Sequence, residues 1–171
     1  MPLVVAHGAI AAVSLAATLV TALAVVAAYT LGAPVDRATM VALHLALAGY
    51  GFMGMLALGL SYVLVPMFAL AESPPAHRAW ASFALATGAL ALSVPAALGV
   101  LPGVLGVAAA GFGAVAAILH VQLMRETLSR GLRRELGIGF RLARIAWGAL
   151  VASLVLALLL SEMRGMNVVP G

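Results

Sequence analysis

LVVAHGAIAAVSLAATLVTALAVVAAYTL, residues 3–31, decides the fold class. It holds no Asp, Glu, Lys or Arg. A hydrocarbon core ~30 Å thick is crossed by ~20 helical residues, each rising about 1.5 Å, so the run is long enough to span. Working outward, residues 38–71 and 79–124 are equally free of formal charge, and the second run is divided by Pro102-Gly103. Backbone polar groups in lipid must be bonded internally, which leaves helices or a closed barrel. Barrel strands alternate apolar and polar residues. These runs are continuous and rich in Ala and Leu, so an all-α integral membrane protein is expected.

The rest of the chain agrees. Hydrophobic residues make up 65% and charged residues 8%, against about 25% charged in soluble domains. Too few charges are present to cover a water-soluble surface. The absence of cysteine excludes disulfides and thiolate metal sites. All nine basic residues are arginine. They cluster between apolar runs, so they read as a topology signal and not as a nucleic-acid surface. No basic segment precedes residue 3, and the run after it is too long for a signal peptide. It is therefore expected to be a retained first span.

The expected architecture is a single domain, a bundle of five transmembrane helices at about 3–31, 38–71, 79–100, 104–124 and 145–160. Pro66 should kink the end of the second. His77 and Arg78 are expected in a loop, and Glu162, Arg164 and Pro170 in a short tail. Residues 125–144 hold a helical extension of the fourth span, a turn and the approach to the fifth. Five spans put Arg78, Arg125, Arg130, Arg133, Arg134, Arg141 and Arg144 on one side, against Arg37 and Arg164 on the other. Basic loops stay in the cytoplasm, so the N-terminus is expected there and the C-terminus outside, in a multi-pass protein of the inner (plasma) membrane. Trp80, Trp147 and Tyr29 fall at the expected boundaries, where amphipathic rings settle. Two rows of small residues on the fourth span, Gly106/Ala110/Ala114 and Ala109/Gly113/Ala117, suit close helix packing.

Ionisable groups within spans are costly and usually functional. His44 shares a helical face with Ala48, Gly51, Met55 and Tyr62. A porphyrin needs a nitrogen donor and a neighbouring surface without bulk, which His44 and Gly51 offer, with Met55 and Phe52 as apolar contacts. The alternative is a histidine hydrogen-bonded to another helix. His7 and His120 lie at matching depth near the cytoplasmic boundary, and His7 shares a row with Ala11, Ser14, Thr18 and Thr21. They could ligate one haem axially, share a metal ion, or face the lipid headgroups as an interfacial pair; haem is the expected cofactor, with copper less favoured. The five acids fall in loops or span ends, away from mid-membrane. Neither a glycine-rich phosphate loop nor a His-Glu-x-x-His zinc helix occurs. Met53, Met55 and Met67 lack one-face spacing, which favours core filling over copper binding.

The second span, His44-Leu-Ala-Leu-Ala-Gly-Tyr-Gly-Phe-Met-Gly followed by Gly59-Leu-Ser-Tyr62-Val-Leu-Val-Pro66-Met-Phe68, resembles that of subunit I of the haem–copper oxidase superfamily. The stretch from Glu72 to Phe83 resembles that family's loop into its third span. The resemblance implies that His44 is an axial ligand of a low-spin haem, b-type or related. That family's catalytic subunit has about twelve spans, and its second haem ligand and copper histidines come from spans with no counterpart here. A complete oxygen-reducing site is therefore not expected, and the second ligand would come from a symmetry mate. The expected function is a membrane haem-binding protein for electron transfer or haem or gas binding, either homo-oligomeric or part of a respiratory complex. A non-catalytic accessory or assembly subunit is the alternative, and a small-solute transporter the third.

Overall fold

The computed structural model describes residues 2–132 and 137–166, which form five helices and no strand. These are α1 (Pro2–Thr30), α2 (Arg37–Ala69), α3 (Ala76–Ala97), α4 (Pro102–Arg130) and α5 (Ile138–Met166). The first four are long and apolar enough to cross a membrane. Arg133, Arg134, Glu135 and Pro170 lie outside the described residues.

Several boundaries differ from expectation, each for a local reason. Pro74-Pro75 ends the second loop, so α3 starts at Ala76 and takes His77 and Arg78 into its first turn. A proline just before a helix forgoes only a backbone donor that would have no intrahelical partner. Arg78 there donates to both carboxylate oxygens of Glu126 on α4, at 2.8 and 3.2 Å. The fifth helix starts well before residue 145 and continues to Met166, so the backbone at Glu162 and Arg164 is helical.

The largest departure is inside α2. Residues Ala46–Gly54 form a π-helix between two α-helical segments. Gly49, Gly51 and Gly54 give this stretch few side chains to hold an α-turn, and the backbone widens to i→i+5 bonding. The wider turn, about 4.4 residues against 3.6, keeps Leu43, Leu47, Gly51 and Met55 buried at four-residue spacing. Beyond Met55 the ordinary α period resumes, through Gly59, Tyr62 and Pro66 to Ala69.

Turn chemistry sets the remaining ends. Gly32 takes a left-handed φ of 65° after α1, with Ala33 N–H returning to Ala27 O at 3.3 Å, a glycine stop. Arg37 donates to Ala28 O at 3.1 Å, and its guanidinium lies 4.6 Å from the Tyr29 ring centre. Asp36 caps α2 by accepting from Thr39 N–H at 2.8 Å. Hydrogen bonds from Thr39 hold the Asp36 carboxyl below the ordinary aspartate range.

The helices meet over small residues. Ala11, Ala86 and Ala116 pack with Met55 where α1, α3, α4 and α2 come together, as expected where lipid supplies no hydrophobic drive and backbones must approach closely. On α4 the row Ala109/Gly113/Ala117 is buried throughout, while Gly106 and Ala110 are only half-buried. A second cluster joins Tyr62, Val65 and Ala69 to Ala79, Leu123, Met124 and Leu128, with Phe140 and Trp147 of α5 against it. The α2–α3 and α4–α5 loops lie together, with Leu132 N–H at 3.5 Å from Leu70 O. Arg78, Arg125 and Arg130 therefore share one end of the bundle.

Candidate functional site

α1 presents one polar stripe to the bundle: His7, Ala11, Ser14, Thr18 and Thr21 are all buried. This is the row expected from helical spacing. Its two ends meet two different histidines.

At the basic end, His7 and His120 are each 1% exposed. Both rest on the ring of Tyr62 from α2. The ring centroids are 5.6 Å apart for His7–Tyr62 and 5.0 Å for Tyr62–His120, the latter edge to face. Phe83 lies 4.7 Å from His7, and Trp147 lies 6.3 Å from His120. The histidines thus face the protein interior and not the headgroups. Gly59 makes the contact possible: a Cβ there would sit 2.5 Å from His7 Cβ.

Hydrogen bonding fixes the ring tautomers. His7 Nδ1 is 2.9 Å from Leu3 O, an acceptor only, so Nδ1 carries the proton and Nε2 keeps its lone pair. Ser61 donates its hydroxyl hydrogen to Leu58 O at 2.7 Å. It must therefore accept from His120 Nε2–H, 3.0 Å away. That leaves His120 Nδ1 with a lone pair, buried and unpartnered among the described residues. The Tyr62 hydroxyl is also buried, with no hydrogen-bond partner among the described residues. Orphaned polar atoms in an apolar interior are costly.

At the other end of the stripe, His44 is half-buried. Its Nδ1 lies 3.2 Å from Thr18 O and 3.3 Å from Thr21 Oγ. Thr21 has spent its hydroxyl hydrogen on Thr18 O, so His44 Nδ1–H donates to both and Nε2 keeps the lone pair. The Thr18 hydroxyl is buried without a partner among the described residues.

The groups expected to flank a haem at His44 are placed otherwise. A Cβ at Gly51 would lie 2.6 Å from Ser14 Oγ and 3.3 Å from a Leu90 methyl. The flat face of Gly51 is thus covered by α1 and α3 within the same chain. Met55 is fully buried among Ala11, Ala86 and Ala116. The helix face next to His44, with Val41, Leu45, Gly49 and Met53, is exposed. His77 is exposed, consistent with a surface residue. Among the described residues, no three His, Cys, Asp or Glu side chains group to hold a metal ion.

Residue spacing alone does not single out Tyr62 as the hub of the His7/His120 pair, nor Ser61 and Gly59 as its neighbours. The usable signal is approximate depth: Tyr62 lies seven residues from the end of α2 and His7 five from the start of α1, about 11 and 8 Å by helical rise. No family model, curated protein or solved structure matches the chain.

Proposed function

We propose that the chain is a multi-pass membrane haem-binding protein for electron transfer, in which His44 is an iron ligand on the outer surface of the bundle. The observation that supports it is the bonding of His44. Its Nδ1–H is committed to Thr18 O and Thr21 Oγ, which orients the ring and leaves Nε2 as a neutral donor. Metal-bound histidines commonly hold their second nitrogen on a backbone carbonyl in this way. The resemblance of α2 to the second span of haem–copper oxidase subunit I favours the same residue.

A haem does not fit beside His44 inside one protomer, because Ser14 and Leu90 fill the face of Gly51. It does not fit between His7 and His120 either, since the Tyr62 ring touches both. In this reading the haem would lie on the exposed face carrying Val41, Leu45 and Gly49, shared with a second protomer. An isologous contact brings two His44 rings to equal depth. Bound there, haem iron supplies a one-electron couple, its potential set by axial ligands and burial. In this reading all five helices span an inner membrane, with the basic end and the N-terminus in the cytoplasm, as Arg78, Arg125, Arg130, Arg141 and Arg144 against Arg37 favour.

The covered faces of Gly51 and Gly59 favour a second reading, a non-catalytic accessory subunit of a respiratory complex whose polar stripe only joins helices. A reduced-minus-oxidised absorption spectrum and a metal count on the purified chain separate the two. Haem present in the native protein and lost in His44→Ala supports the first. An unchanged haem signal in His44→Ala overturns His44 as ligand, and a colourless, metal-free protein supports the second.

A further inference from the structure

We propose that the groove between α4 and α5 at the basic end holds the phosphate headgroup of an anionic phospholipid. The inference rests on the chain being embedded in a membrane, and is independent of any haem. The groove has a volume of about 520 Å³. Arg125 and Ser129 of α4 line one wall, and Arg144, Trp147 and Gly148 of α5 the other. On each helix these residues stand three or four apart, so they share a face.

Charge selects the occupant. Both arginines are exposed, and neither has an acidic partner among the described residues. Glu126, next to Arg125 in sequence, is engaged with Arg78 of α3 on another side of α4. Among the described residues the groove therefore has two guanidinium groups, a hydroxyl and no carboxylate in its lining. Guanidinium forks match phosphate oxygens. Trp147 lies in the same wall and suits the headgroup level. Val121 and Leu128 make the floor apolar, which suits the glycerol and first acyl carbons of a lipid better than a free, fully hydrated phosphate. Basic pockets between spans are the usual seats of anionic headgroups.

Gly148 provides an independent handle. It is part of the groove lining and a Cβ at this position meets nothing within 4 Å, so a side chain can be started there without a clash at its Cβ.

The test uses the purified full-length chain in phosphatidylcholine nanodiscs, with and without phosphatidylglycerol, read by lipid retained in native mass spectrometry and by thermal unfolding. Phosphatidylglycerol should be retained over phosphatidylcholine and should raise the unfolding temperature. Arg125→Gln with Arg144→Gln should weaken retention about 30-fold, from the worth of two arginines near an anionic surface. Gly148→Leu should block retention with helix content unchanged, and it keeps the test decisive if the double variant does not fold. Arg37→Gln, at the opposite end, should leave retention as in the native chain. Retention unaffected by both groove variants overturns the site. Equal stabilisation by inorganic phosphate overturns the assignment to a lipid.

Discussion

The contact between Gly59 and His7 sets the distance between α1 and α2 at the basic end, and Gly59→Ala tests it. The added Cβ would lie 2.5 Å from His7 Cβ and 3.1 Å from His7 Cγ. Ordinary carbon contacts are about 3.5–4.0 Å, so the helices must part by about 1 Å. The obstacle is the Cβ of a buried residue, which no rotamer change can move. Overpacking of this kind costs about 1–3 kcal/mol. Against it stands the gain in helix propensity on replacing glycine by alanine, about 1 kcal/mol. The net expectation is a loss of up to about 2 kcal/mol. Gly8→Ala, one residue from His7 with nothing within 4 Å of its Cβ, should show only the propensity gain. The two variants thus separate packing from propensity. The origin of the clash gives a sharper test. His7→Ala keeps the offending Cβ and should not rescue Gly59→Ala, whereas His7→Gly should, so a double-mutant cycle reads the coupling directly. The assay is unfolding of the detergent-solubilised protein followed by circular dichroism. Gly59→Ala as stable as Gly8→Ala, or rescue by His7→Ala equal to that by His7→Gly, would refute the reasoning.

Two further outcomes follow from hydrogen bonding. Ser61→Ala strands His120 Nε2–H in the interior, which should cost about 1–3 kcal/mol, while Ser61→Thr should keep most of the stability; equal stability of the alanine variant in the same unfolding assay removes Ser61 as the acceptor. Asp36 should make the α1–α2 corner sensitive to acid: its folded carboxyl lies below the ordinary range, so its contribution is complete above the unfolded pKa of about 3.9 and fades as pH falls through the folded value. Amide exchange at Thr39 should rise over that acidic window in the native chain but not in Asp36→Asn.

Much of this arrangement is legible in the sequence because hydrocarbon leaves few choices. Uncharged runs mark four of the helices, and spacing of three and four picks out His7, Ala11, Ser14, Thr18 and Thr21 as the buried stripe of α1. Three things are not legible. The π-helix over Ala46–Gly54 is a choice between i→i+4 and i→i+5 bonding that three glycines make possible but do not dictate. The Arg78–Glu126 pair joins residues far apart in sequence whose charges look like ordinary span ends. The covering of Gly51 by Ser14 depends on how α1 docks, and one glycine on a helix cannot reveal whether its open face receives a cofactor or a neighbour.

The length of the α1 stripe limits how the histidines can act. His7 stands at one end, against Tyr62 and His120. Thr21 stands at the other, against His44. Fourteen residues of helix separate them, about 21 Å at the α-helical rise. No single ion or porphyrin can be ligated at both ends, so His44 and the His7/His120 pair stand apart, in opposite halves of the bundle. The pair keeps two lone pairs of its own, on His7 Nε2 and His120 Nδ1, beside an unbonded phenol. Any metal it takes must be a small ion and not a haem, because Tyr62 fills the space. Substitution therefore has to act independently at the two ends. His120→Ala should leave a His44-dependent haem spectrum intact, and His44→Ala should leave unchanged any copper or iron bound at the pair. If either variant removes both signals while helix content is preserved, the two ends share one centre and the helix packing described for α1 is wrong.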